Sequence, residues 1–291
     1  MEISSGIIFA LVAMLCWGFG DFLIQRSTRK IGNLGTLFII ALIGSIILLP
    51  FVYKDIPSVF QSKQILFVLI GASIILIIAA FLEFESLKIG KISVIEPIWS
   101  LEIPAAALLA FVLLKEKVSY LEMTIIAVLI LGLVMISLRS KSFNKKTWFE
   151  KGTIFAIIGA LLMGFANFFL GWGARLTDAF MINWFINVFI TIVCGIYIIK
   201  KKRVKKLIKD INKNKKFLGA LSLLDNVAWI AFAASMTLAP IAISVAISES
   251  YIIIAVLLGL FIGKEKLKKH QKIGLIIAIL AALLLSYVAG T

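Results

Sequence analysis

Cysteine, histidine and proline are scarce in this chain: two, one and five among 291 residues. The single His270 lies in a basic stretch between apolar runs. There is no HExxH, no GxSxG and no Asp-x-Asp pair, which removes the usual frames for a metalloprotease or a serine hydrolase. Cys16 and Cys194 fall inside separate apolar runs, so they carry no metal-type spacing and fix no redox compartment. The chain is therefore expected not to be an enzyme, and neither a cofactor nor a metal is expected. Acidic residues are also few, 15 against 30 Lys and Arg, which leaves a net charge of +15.

Hydrophobic residues fill 62% of the chain, against roughly 45–50% in soluble domains, and the mean hydropathy is +1.09. Apolar windows of about 20 residues, each long enough for a helix across ~30 Å of hydrocarbon, number ten. They run at about 5–25, 34–53, 64–87, 92–114, 119–138, 152–172, 180–199, 217–238, 241–262 and 272–289. The fold class expected is all-α integral membrane with ten spans. The first run opens without a basic leader and is followed by further spans in place of a cleavage site, so no removable signal peptide is expected.

Lys and Arg collect on the cytoplasmic side of short loops. Loops 1–2, 3–4, 5–6, 7–8 and 9–10 hold 3, 2, 5, 10 and 5 basic residues, 25 of the 30 in the chain. This bias predicts a multi-pass protein of the cell membrane with those loops cytoplasmic and both termini outside. The run from Lys200 to Lys216 then reads as a topology signal that meets anionic lipid, and nucleic acid is not an expected partner.

The chain also repeats. A shift of 146 residues aligns Gly6, Phe9, Ala10, Gly18, Phe19 and Phe22 with Gly152, Phe155, Ala156, Gly164, Phe165 and Phe168. A shift of 149 aligns Lys115-Glu116-Lys117 with Lys264-Glu265-Lys266 and Ser137 with Ser286. Two halves follow, 1–140 and 141–291, and five spans in each force the second to enter the bilayer inverted. The ten spans, Trp17-Gly18 near the end of the first, Pro97 in the fourth and the Lys-Glu-Lys turns before the fifth and tenth resemble the EamA family of the drug/metabolite transporter superfamily. That resemblance implies a basket of ten helices, a central substrate cavity lined mainly by spans 1, 3, 4, 6, 8 and 9, and alternating access by rocking of the halves. It implies no particular substrate, since the family handles amino acids, nucleotide-linked compounds, quaternary amines and other metabolites.

A carboxylate inside a span is costly, about 2.5–3.5 kcal/mol at a helix centre on insertion scales, and is retained where it has a use. Three acid and tryptophan pairs stand one turn apart within spans: Trp17/Asp21, Glu96/Trp99 and Asp225/Trp229. Glu102 and Glu249 are deeper acids, and of Glu83 and Glu85 the deeper Glu83 is the one expected to face inward. Asn167 aligns with Asp21 in the repeat. Glu116 and Glu265, flanked by lysines, read as structural. An acid beside an aromatic face suits a cation, and burial with like charge favours the protonated carboxyl, so cation and proton would compete for one site. The substrate-binding candidates are Trp17, Asp21, Glu83, Glu96, Trp99, Glu102, Asn167, Asp225, Trp229 and Glu249, with Glu102, Glu96, Asp225 and Glu249 as proton-coupling candidates. The expected function is secondary active transport of a small organic cation coupled to protons, with sodium as the alternative ion. The competing reading keeps the fold and moves an amino acid or another zwitterionic or neutral metabolite, whose carboxylate would want a deep cation that the spans do not supply.

Overall fold

The structure is a computed structural model that describes residues 2–89, 98–138, 151–261 and 267–290, and these are helical almost throughout, with no strand among them. In chain order the helices are α1 (Glu2–Ile31), α2 (Asn33–Val52), the short α3 (Ile56–Gln61), α4 (Lys63–Ile89), α5 (Glu102–Leu113), α6 (Tyr120–Ser137), α7 (Lys151–Leu176), α8 (Ala179–Lys200), α9 (Val204–Leu238), α10 (Ile241–Ser248), α11 (Tyr251–Phe261) and α12 (Lys269–Gly290). Among the described residues eight segments are long and apolar enough to cross a bilayer, one of them running over α10 and into α11. Two shorter apolar helices, Ser4–Gly20 and Glu102–Leu113, stand where the first and fourth spans are expected. Large apolar side chains such as Phe51, Phe67, Phe81, Phe111 and Tyr287 face outward, as helices in hydrocarbon require.

The boundaries have local causes. Gly32 turns the chain between α1 and α2 at φ +82, a conformation that costs glycine nothing. Ser119 and Glu122 form a reciprocal cap at the start of α6, and Asp178 accepts from the Phe180 and Met181 amides to start α8. α9 is longer than the eighth span alone because the basic segment from Val204 is helical and bends into the span at Asn214 (φ −123, ψ 19).

Two expected spans are not continuous. The chain turns at Ser100–Leu101 before α5, and it turns again at Glu249–Ser250 between α10 and α11. At each point the amide reaches back three residues rather than four, Leu101 to the Ile98 carbonyl and Ser250 to that of Ile247, both at 3.0–3.1 Å. These bonds are 149 residues apart, the same offset that aligns the Lys-Glu-Lys turns.

Packing carries the repeat as well. Spans 3 and 6 (α4 and α7) lie along each other, as do spans 1 and 8 (α1 and α9), and exchanging the halves turns one pair into the other. Spans 5 and 10 (α6 and α12) pair together, as do spans 2 and 7 (α2 and α8), so each of these pairs joins equivalent spans. An ideal Cβ on Gly18 would meet Ile254 Cβ at 2.5 Å and one on Gly164 would meet Ala105 Cβ at 2.6 Å. Those contacts correspond through the two shifts and hold span 9 against span 1 and span 4 against span 6.

The described residues at the span ends that contact one another fall on two faces, in the alternation the span count demands. On one face Ser4 donates to the Gly290 carbonyl, Gly6 lies against Ala239, and loops 4–5, 6–7 and 8–9 meet through Glu116, Arg175 and Ile241. On the other, Lys30 reaches Asn214 and the Phe217 ring, and His270 and Gln271 bond the Leu138 and Ile136 carbonyls.

Candidate functional site

Glu102 opens α5, so its carboxyl sits at the positive end of that half-helix. It is buried, and its Oε2 accepts a 3.4 Å hydrogen bond from Asn167 Nδ2 on α7. Glu83 on α4 meets it carboxyl to carboxyl, and Glu249 lies near enough for its charge to act on Glu102. A carboxylate is an acceptor only, so two carboxyl groups that meet bond to each other when one of them carries a proton. Spans 3, 4, 6 and 9 thus each contribute one polar group. Close approach of α7 allows this: an ideal Cβ on Gly164 would sit 2.6 Å from the Glu102 carbonyl oxygen, and one on Gly159 would sit 3.0 Å from Glu83 Cγ.

Three buried polar atoms on spans 3 and 4 have no partner in the structure: Glu83 Oε1, Trp99 Nε1 and Ser100 Oγ. Trp99 packs instead with Ile98 and Ala156. Among the described residues no group of three acidic, histidine or cysteine side chains forms a metal-holding set.

A second cluster is aromatic. Trp17 on α1 meets Trp229 and Phe232 on α9 at ring-centre distances of 5.1 and 5.0 Å, and Tyr251 on α11 at 6.2 Å, all edge to face. Such packing fills the space between the rings. The turn from Glu249 to Tyr251 joins this cluster to the acids, and Ser248 beside it donates to the Ala10 carbonyl on α1.

The structure therefore gathers Glu83, Glu102, Asn167 and Glu249 in one place and Trp17 with Trp229 in another. Asp225 is buried one turn before Trp229 on α9. The expected pairing of Trp99 with Glu96 falls on a residue outside the described ones, as does Pro97, and the side chain of Asp21 is likewise outside them. The sequence reading missed Asn183, Asn187 and Asn226. Asn187 Nδ2 donates to Asn226 Oδ1 at 2.8 Å, Asn226 donates to the Ile40 and Ser222 carbonyls, and Asn183 to those of Ala179 and Trp229. Gly44 leaves room for this layer, since a Cβ there would overlap Asn226 and Asn187. Asparagine at 183 and 187 one turn apart is the signal that could have found it.

Similarity to known proteins follows the same two halves. The model of the EamA-like transporter family matches residues 4–138 and again 150–287. The "Uncharacterized protein MJ1333.1" of Methanocaldococcus jannaschii is 24% identical over 135 residues, which is 46% of this chain and 98% of that protein, so the relative is about one repeat long. A solved structure titled only "Crystal structure of protein" superposes with a TM-score of 0.77 at 14% identity over 98% of both chains, which shows a shared fold. Two family matches that together span nearly the whole chain, on a helical bundle with that fold, make this multi-pass membrane protein a member of the EamA-like transporter family within the drug/metabolite transporter superfamily.

Proposed function

We propose that the chain is a secondary active transporter that moves a small organic cation, such as a quaternary ammonium compound, an amine or a similar metabolite, by alternating access in exchange for protons. The observation that carries this is the contact of Glu102 with Glu83 and Asn167, with Glu249 close enough for its charge to act on Glu102 and the turn after Glu249 leading to Tyr251 in the aromatic cluster of Trp17, Trp229 and Phe232. The acids attract a cation, the rings favour a weakly hydrated one by cation–π contact, and a proton shared among carboxyls is displaced when the cation arrives. Glu96 and Asp225 join Glu102 and Glu249 as proton-coupling residues in this reading, and Asp21 and Trp99 complete the binding set. Sodium is the alternative coupling ion, and dependence of transport on sodium concentration separates the two.

The second reading, an amino acid or other zwitterionic metabolite, needs a cation for the substrate's carboxylate. Arg175 is committed to Glu116 and two backbone carbonyls, which weighs against it. In this reading the protein sits in the cell membrane with the basic loops cytoplasmic and both termini outside, and the ten basic residues from Lys200 to Lys216 lie against anionic lipid; the excess of Lys and Arg in those loops supports it. A thermal-shift screen of the purified protein with amines, amino acids and nucleotide sugars at two pH values tests the substrate class. Stabilisation by quaternary amines that weakens at low pH is expected, and stabilisation confined to amino acids overturns the cation reading.

A further inference from the structure

Glu116 and Arg175 form an ion pair between the loop after span 4 and the end of span 6, and both partners are also tied to the hairpin between spans 8 and 9. The Glu116 carboxylate accepts the Ile241 amide at 2.9 Å from Oε2 and 3.2 Å from Oε1, which caps the start of α10. Arg175 donates from Nε to the Met236 carbonyl at 2.7 Å and from an Nη to that of Ala239 at 3.1 Å, which caps the end of α9. One pair of side chains thus satisfies both helix ends of a hairpin and binds it to spans 4 and 6. Spans 4, 6 and 9 carry Glu102, Asn167 and Glu249, and span 8 carries Asp225, Trp229 and Phe232.

Just beyond the pair a cavity of about 460 Å³ opens to the surface, lined by Ala174, Arg175, Thr177, Asp178, Ala179 and Thr237. Arg175 belongs to both the cavity wall and the ion pair. Below the pair, every residue of α10 from Ile241 to Ser248 is buried, and the Ser244 hydroxyl has no hydrogen-bond partner. In sequence, Arg29 and Glu265 stand at the positions matched to Arg175 and Glu116 by the 146- and 149-residue shifts. Glu265 and the side chain of Arg29 lie outside what the structure describes, and nothing in the contact at this face depends on them.

We infer that the Glu116–Arg175 pair is the latch that closes this face of the transporter, separating the surface cavity from the buried site, and that it must break for the site to open on that face. The inference rests on the chain working by alternating access, but not on which substrate it carries. Opening moves the 8–9 hairpin away from spans 4 and 6, and that motion removes the acceptors of Arg175 and the donor to Glu116 together. The latch is therefore all or none, as a two-state gate requires.

The test is site-directed labelling of Ser244→Cys in the full chain, in a background with Cys16 and Cys194 changed to alanine. A membrane-impermeant maleimide is applied to each side of oriented vesicles in turn, and Thr237→Cys at the exposed cavity rim serves as a reference. With the latch intact Ser244→Cys labels slowly. In Glu116→Gln and Arg175→Gln its rate rises about tenfold from the latch side alone, as loss of charge-assisted bonds holding one of two states would give, while the reference is unchanged. Arg175→Lys keeps the charge and lacks the planar fork, so it gives a smaller rise and supplies the answer should the stronger variants fail to fold. Unchanged labelling in folded variants, or a rise from both sides, overturns the latch. The readout uses neither substrate nor protons, so a wrong substrate class would leave it standing.

Discussion

Glu102 links the acids, because it contacts Glu83 and Asn167 and lies within reach of the charge of Glu249. Glu102→Gln keeps the shape and the bond to Asn167 but cannot exchange a proton, so it is expected to weaken amine binding by about tenfold or more and to flatten its pH dependence, read by thermal shift at two pH values. Gly164 sets how closely spans 4 and 6 approach. Gly164→Val forces a side chain onto the Glu102 carbonyl and is expected to cost about 1–3 kcal/mol, seen as a lower melting temperature. The burial of Glu102 was legible from the cost of an acid in hydrocarbon. The contact of Glu83 with Glu102 was not, because nothing in one span's pattern says which neighbour it meets.

At the scale of elements, the breaks in spans 4 and 9 matter most, because the one in span 4 leads into α5 at Glu102 and the one in span 9 divides α10 from α11 at Glu249. Their apolar runs continue through Ser100–Leu101 and Glu249–Ser250, so hydropathy alone reads two unbroken helices. The turns are stabilised by tertiary contacts of Gly164 and Gly18, which the repeat displays but whose partners it does not name. The asparagine layer between spans 2, 7 and 8 was hidden for a like reason, since the bonded partners Asn187 and Asn226 lie on separate helices. Asn226→Leu removes the acceptor for Asn187 and the donor to Ile40, leaving buried polar groups unpaired. It is expected to lower stability by about 1–3 kcal/mol in denaturation, with a smaller loss for Asn187→Leu, which leaves the bonds of Asn226 to backbone in place.

For the whole molecule, the loop positions and the offsets of 146 and 149 residues were enough to read ten spans in two inverted halves, because span length is set by the bilayer and charge by topology. The two faces found for the loops agree with that count. A cysteine at Lys206 is expected to react with impermeant reagent only from the cytoplasm, and one at Thr237 only from outside; reaction of both from one side would refute the inverted arrangement. The exchange of protons for a cation at the Glu83, Glu102 and Glu249 cluster is tested most directly in proteoliposomes that enclose a pH-sensitive dye. Adding a quaternary amine found by the thermal screen to one side should drive protons the opposite way as the amine crosses, and Glu102→Gln with Glu249→Gln should abolish that proton movement. Amine flux with no proton movement at any pH, or proton movement that survives loss of both acids, would contradict the account.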